Sequence, residues 1–230
     1  MIPGRMAPGR TGPGSSRVAT EQLLGDLQRD GLTPRAWSSF LRAAILRSVE
    51  QARSHPAALA ELLVLHLLFA TGSSARGRTW VALSWALMAS HLGLLEERRT
   101  LGWANVITVA RANLPAYGTR FGTWIPVLAV LSDVADGALA RRSQTTTPFG
   151  RHADFLSDTA VWTWFTLHQE PSRLARTVTL ASWALPVVVV TAASFARGGM
   201  VDVERSRWWR PCAAVQAVVC ARALTRRFRR

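Results

Sequence analysis

From residue 57 onward the sequence is a succession of apolar runs separated by short, Arg-containing connections: AALAELLVLHLLFA, WVALSWALMASHLGLL, WANVITVARANLPAY, GTWIPVLAVLSDVADGALA, TAVWTWFTLH and TVTLASWALPVVVVTAASFA. A bilayer core takes about 20 predominantly apolar helical residues, and only the last two long runs approach that length unaided. Each shorter run alone would also suit the core helix of a soluble bundle. Their succession is more restrictive. Several of the ten Trp residues (Trp80, Trp103, Trp124, Trp183, Trp208, Trp209) stand at segment edges, where an aromatic belt would lie. Arg clusters occupy the connections (Arg98 and Arg99; Arg141, Arg142 and Arg151; Arg205, Arg207 and Arg210) and the tail ALTRRFRR, which the positive-inside rule assigns to the cytoplasm. The sequence therefore predicts an all-α, polytopic transmembrane helical bundle of about six spans in the cell membrane. A seventh run, PCAAVQAVVCA, is too short to count.

With 230 residues the chain is long enough for one sizeable core. Apolar residues make up 49% and charged residues 18%, which excludes disorder throughout. The basic residues number 28, all Arg, against 14 acidic ones, and the net charge of +14 calls for an anionic partner: nucleic acid, a phospholipid surface or a phosphorylated substrate. Cys212 and Cys220 lack the spacing of a zinc site or a disulfide framework. Residues 1–34 read as a disordered basic tail, the first twenty being rich in Gly, Pro, Arg and Ser without a signal-peptide core. Residues 35–56 place Trp37, Phe40, Leu41, Ala44, Ile45 and Val49 at roughly helical spacing. That pattern fits an interfacial helix on anionic lipid, and a soluble amphipathic helix equally. Residues 57–100 supply additional N-terminal membrane helices, and residues 197–230 a short apolar segment and the Arg-rich tail.

Charge inside apolar surroundings is expensive and usually functional. The stretch LSDVADGALARRSQTTTPFGRHADFLSDTAVW brings four Asp to segment ends. Asp133 and Asp136 are three apart and Asp154 and Asp158 four apart, so each pair shares a helix face. Two antiparallel helices joined by the connection Arg141 to His152 would bring the pairs into one pocket, which would repel itself apart unless neutralised. Oxygen-only ligands suit a hard cation, Mg²⁺ or Mn²⁺, with room for a binuclear site. Gly137 and Gly150 allow close approach of backbone or ligand, or of neighbouring helices.

The pattern Asp133-x2-Asp136-Gly137-x2-Ala140-Arg141-x8-Gly150-x3-Asp154-x3-Asp158 resembles the complete signature of the CDP-alcohol phosphatidyltransferase family. Upstream, Asn105, Thr108 and Arg111 are similar to the Asn-x2-Thr-x2-Arg pattern of that family's first helix. The resemblance covers residues 101–196, the expected catalytic core, and the family's usual fifth and sixth helices are not evident. It implies a membrane-embedded transferase that moves a phosphatidyl or related phospho-alcohol group from a CDP-alcohol, CDP-diacylglycerol above all, to a small alcohol acceptor and releases CMP in phospholipid biosynthesis. It further implies two Mg²⁺ or Mn²⁺ ions held by Asp133, Asp136 and Asp154, with Asp158 as a ligand or as the catalytic general base. Asp136, Gly137, Ala140, Arg141 and Gly150 would bind the CDP moiety, the active site would face the cytoplasm, and a homodimer is compatible with it.

Displacing CMP from a diphosphate needs in-line hydroxyl attack on phosphorus, a reaction that metal ions clamp and a carboxylate assists by taking the proton. Arg111, Arg142 and Arg151 are candidates for phosphate contacts, although loop charge alone would explain the last two. A divalent-cation transporter or channel using the same four Asp is the alternative, opposed by Arg141 beside the carboxylates. No nucleic-acid partner is expected, since no helix-turn-helix or zinc-finger spacing occurs. His66 and His91 read as packing residues, Pro186 as a kink, and Glu61 has no assignment.

Overall fold

The computed structural model describes residues 16–142, 147–201 and 205–229, and only the backbone of 123, 205–211, 213, 227 and 228. Among the described residues the chain is all-helical: ten α-helices, three short 3-10 turns and no strand. Two compact units comprise the described residues of Met1–Arg47 with Val189–Val203, and of Ser48–Val188 with Glu204–Arg230.

The smaller unit holds α1 (Ser16–Arg29), the first part of α2 (Pro34–Ser54) and the end of α9 (Arg173–Arg197). The disordered tail expected over 1–34 is thus corrected from Ser16 on, and residues 1–15 lie outside the described residues. Leu24 and Leu27, one helical turn apart, are buried on α1. Gly31, at φ 68°, closes the helix by donating to the Gln28 carbonyl while Leu32 donates to that of Leu27. Thr33 then accepts from the Ala36 amide and Pro34 begins α2, which runs through the stretch read as an interfacial helix over 35–56. Trp37, Phe40 and Phe195 form an edge-to-face cluster with ring centroids 4.8–6.0 Å apart.

In the larger unit, α3 (Pro56–Thr71) and α4 (Ala75–Ser90), followed by a 3-10 turn at Leu92–Leu95, form a hairpin. Next come α5 (Trp103–Ala112), a broken stretch containing α6 (Gly118–Phe121), α7 (Ile125–Arg142), α8 (Pro148–Gln169) and α10 (Arg205–Phe228). Thr147 caps α8 by accepting from the Gly150 amide, and Pro148 fits the first helical position because it needs no donor there. The main core joins Leu62 of α3, Met88 of α4, Leu92 and Leu95, Val109 of α5, and Phe149 and Ala153 of α8. The two runs before α5 therefore pack on α5 and α8.

Three expectations change here. Among the described helices one, Arg173–Arg197, is long and apolar enough by itself to cross a membrane, and the bent pair Pro34–Ser54 with Pro56–Thr71 is a second if counted as one span. Length and composition thus do not reach six spans, because α3 and α4 stop at 16 residues and charge interrupts α7 and α8. The segment taken as too short, 211–221, belongs to the 24-residue α10, whose Arg-bearing ends are helical although they fail an apolar-run test. Finally, the described Arg222 and Arg226 of the C-terminal tail pair with Glu170 just after α8, at the far end of that helix from Asp154. With 22 residues α8 is about 33 Å long, so this part of the tail and the 141–152 connection stand at opposite ends of that helix, an arrangement the sequence reading did not anticipate.

Of the belt candidates, Trp103 and Trp124 are exposed, Trp80 donates its indole N–H to the Ala112 carbonyl and Trp183 is buried. The side chains of Trp208 and Trp209 lie outside the described residues.

Candidate active site

Helix α5 carries Asn105, Thr108 and Arg111 at every third position, and all three are buried against α7 and α8. The Asn105 side chain donates to the Leu101 carbonyl (2.7 Å), and a Cβ added at Gly150 would stand 2.7 Å from its Oδ1. The glycine is therefore what lets α8 come this close to α5. Ser157 Oγ donates to the Thr108 carbonyl at 3.1 Å and fixes the register of the two helices.

Asp133 and Asp136 of α7 and Asp154 and Asp158 of α8 converge from opposite sides of Arg111, whose side chain is fully buried. Arg111 Nη1 lies 3.3 Å from Asp133 and 3.1 Å from Asp136, Nε lies 3.2 Å from Asp158, and Nη2 pairs with Asp154. A planar five-donor guanidinium can serve several carboxylates at once, which an ammonium on a flexible stem cannot do equally well. The four aspartates expected to share a pocket thus do so, around a residue expected to contact phosphate.

They are not equivalent. Asp136 is the deepest, 8% exposed, and accepts from Thr108 Oγ1 at 2.6 Å. Asp133, Asp154 and Asp158 are 51%, 41% and 23% exposed, and each offers an oxygen within 4.8 Å of the others. At an effective dielectric near 20, two charges about 4 Å apart interact by about 4 kcal/mol, so a single guanidinium leaves mutual repulsion among the carboxylates that a cation would relieve. The exposed trio fits a hard divalent cation in donor chemistry, all three donors being carboxylate oxygens.

Gly137, Ala140 and Arg141 follow on the last turns of α7, where the Arg141 guanidinium comes within 3.1 Å of where a Gly137 Cβ would be. Arg142 and Arg151 are exposed at the two ends of the α7–α8 connection, of which 143–146 lie outside the described residues. His152 Nδ1 is 3.0 Å from the Pro148 carbonyl. The unassigned Glu61 accepts the Leu101 amide (2.8 Å), and His66 is a hydrogen-bonded packing residue as expected, next to Leu62, Ser84 and Asn113. Ser157 and Asn113 are contributors that spacing alone did not mark out, since each acts on a neighbouring helix.

A cluster of three carboxylates whose oxygens lie close enough together to share a metal ion, at the mouth of a helix pair, defines a candidate site for a hard divalent cation. The family described as CDP-alcohol phosphatidyltransferase matches residues 101–226, more than half of the chain, and the chain belongs to that family. It is accordingly a phosphotransferase. The match extends past the expected limit at 196 and takes in nearly all of α10. No curated protein and no solved structure matched the chain.

Proposed function

We propose that the protein is an integral membrane enzyme that transfers the phosphatidyl group of CDP-diacylglycerol to a small hydroxyl acceptor and releases CMP. The observation that carries this reading is the convergence of all four signature aspartates on Arg111. The acceptor hydroxyl oxygen forms a bond to the lipid-side phosphorus. The anhydride bond to the CMP phosphate breaks, and its electron pair leaves on CMP. Asp158 takes the hydroxyl proton, while Arg141, beside Gly137, holds the donor diphosphate. Asp133, Asp154 and Asp158 would hold Mg²⁺ or Mn²⁺, with Asp136 supporting them from Thr108. When bound, the ions offset charge developing on the attacking and leaving oxygens. The Arg-rich mouth suits a phosphorylated acceptor.

Membrane residence is supported by the apolar side chains the helices expose. On α3 these are Leu63, Val64, Leu67 and Leu68, on α7 Val130, Leu131 and Val134, and on α9 Leu185, Val188 and Val189. A soluble monomer rarely leaves so many uncovered. We read α3, α4 and α7 to α10 as the embedded helices, with α2 at the interface showing Leu41, Ile45 and Leu46 outward. A cation pathway is the weaker reading, because a buried guanidinium amid the carboxylates opposes free cation passage.

The test is CMP release from CDP-diacylglycerol across a panel of alcohol acceptors. Metal-dependent release that falls by about 10² or more in Asp158→Asn is the expected result. Cation flux across vesicles without CMP release would replace the enzyme with the transporter.

A further inference from the structure

Helix α5 has ten residues, about 15 Å of helix, yet it carries the arginine on which the site converges. So short a helix is marginal by itself and must be held from outside. The α3–α4 hairpin, which lies wholly before the family-matched residues, holds it at both ends. Ahead of the first turn, Glu61 of α3 accepts the Leu101 amide at 2.8 Å. At the other end the Asn113 amide turns to the Ala110 carbonyl, which leaves the Val109 and Ala112 carbonyls to other donors. Trp80 of α4 donates its indole N–H to the Ala112 carbonyl at 2.9 Å, and Asn113 donates to the Val109 carbonyl at 2.9 Å.

Asn113 is itself gripped by the hairpin. Its side-chain nitrogen lies 3.3 Å from both His66 Nε2 and Ser84 Oγ. His66 Nδ1 stands 2.8 Å from the Leu62 carbonyl, which can only accept, so that nitrogen carries the proton and Nε2 is left as an acceptor. Beyond it, Tyr117 donates its hydroxyl to the Phe69 carbonyl at 2.7 Å.

We propose that the α3–α4 hairpin is a positioning clamp for the metal and diphosphate site, with Glu61, His66, Trp80 and Ser84 setting α5 so that Arg111 and Thr108 meet the four aspartates. These are positioning residues, since they act through α5. The proposal rests on the phosphotransfer reading for its consequence in activity, and on the contacts above for its effect on metal binding. A site built this way tolerates only about 0.5 Å of displacement, so loosening either end of α5 degrades cation binding before it unfolds the protein.

The experiment compares the full chain and its variants in detergent, reading Mn²⁺ binding by electron paramagnetic resonance together with the Mn²⁺ dependence of CMP release. Glu61→Leu and Trp80→Phe are expected to raise the Mn²⁺ concentration for half-saturation about tenfold, the lower end of what outer-shell changes cost a metal site. Glu61→Gln restores wild-type binding, because its amide oxygen still accepts the Leu101 amide. Leu67→Ala, on the exposed side of α3, leaves binding unchanged. Should Glu61→Leu fail to fold, Trp80→Phe, which keeps an aromatic ring at the site and loses the indole N–H with its five-membered ring, decides the matter. Lower melting temperatures with unshifted Mn²⁺ half-saturation would overturn the clamp and leave the hairpin as packing. A wild type that binds Mn²⁺ and releases no CMP overturns the phosphotransfer reading alone, and the binding shifts still decide the clamp.

Discussion

Arg111 Nε lies 3.2 Å from Asp158 Oδ1, which ties the helix bearing the buried cation to the helix bearing the proposed base. Removing that cation leaves Asp136 buried without its charge partner, the costly half of breaking a buried pair. Arg111→Met is therefore expected to lower stability by about 3 kcal/mol, read as the midpoint of thermal unfolding in detergent. Arg111→Lys recovers only part of this, because a single ammonium cannot reach four carboxylates in the directions a guanidinium does. Full stability in Arg111→Met would show that the cluster does not depend on the arginine.

The glycines at helix contacts separate into two kinds. A methyl group at Gly150 would stand 2.7 Å from Asn105 Oδ1, on a side chain already tied to the Leu101 carbonyl, and one at Gly77 would stand 2.5 Å from the Ala116 carbonyl oxygen. Gly150→Ala and Gly77→Ala are each expected to cost about 1–3 kcal/mol from overpacking. At Gly137 the neighbour is the end of the Arg141 side chain, which can move aside. Gly137→Ala should fold normally and show its effect in the KM for the CDP-alcohol.

Glu170 is buried between α8 and α9, where it accepts from the Ser172 amide and pairs with Arg222 and Arg226. Burial by itself raises this carboxyl, but the amide and the two guanidinium groups outweigh it, and the net shift is below the ordinary glutamate value. As the folded value is the lower one, the unfolded chain takes up the proton first when pH falls. The contribution is whole above the ordinary glutamate range and disappears as pH drops through the lowered folded value. Stability of the wild type should fall in that acid window more steeply than that of Glu170→Gln, and a parallel decline of the two would refute the assignment.

The same pairing makes the proposed topology testable. Arg142 closes α7 beside the carboxylate cluster, whereas Arg226 meets Glu170 at the opposite end of α8. In a background without Cys212 and Cys220, Arg142→Cys and Arg229→Cys are expected to react with an impermeant maleimide from opposite sides of sealed vesicles. Labelling from the same side would show that α8 does not cross.

The helical class and the four aspartates were legible because both are local: runs of apolar residues, and carboxylates at spacings of three and four. Arg111 was visible as one position of an Asn-x2-Thr-x2-Arg pattern, but not its place at the centre of the carboxylates, because that depends on α5 lying between α7 and α8. The role of the partly buried Glu61 was hidden for the same reason, its partner being a backbone amide on another segment. Helix α1 was missed although Gly31 and the Thr33-Pro34 pair mark a stop and a start. The Gly- and Pro-rich residues before it dominate the composition there. Arg-bearing turns similarly concealed the length of α10, since an apolar-run criterion ends where arginine begins.

The brevity of α3 and α4 reaches beyond the protein. Each rises about 24 Å, against a hydrocarbon layer of about 30 Å. Were the pair embedded as proposed, lipid beside it would have to pinch inward by several ångströms, or tuck its glycerol backbones down around the hairpin, to avoid wetting its own chains. A trough of that kind would draw headgroups toward the depth at which the reacting diphosphate must lie.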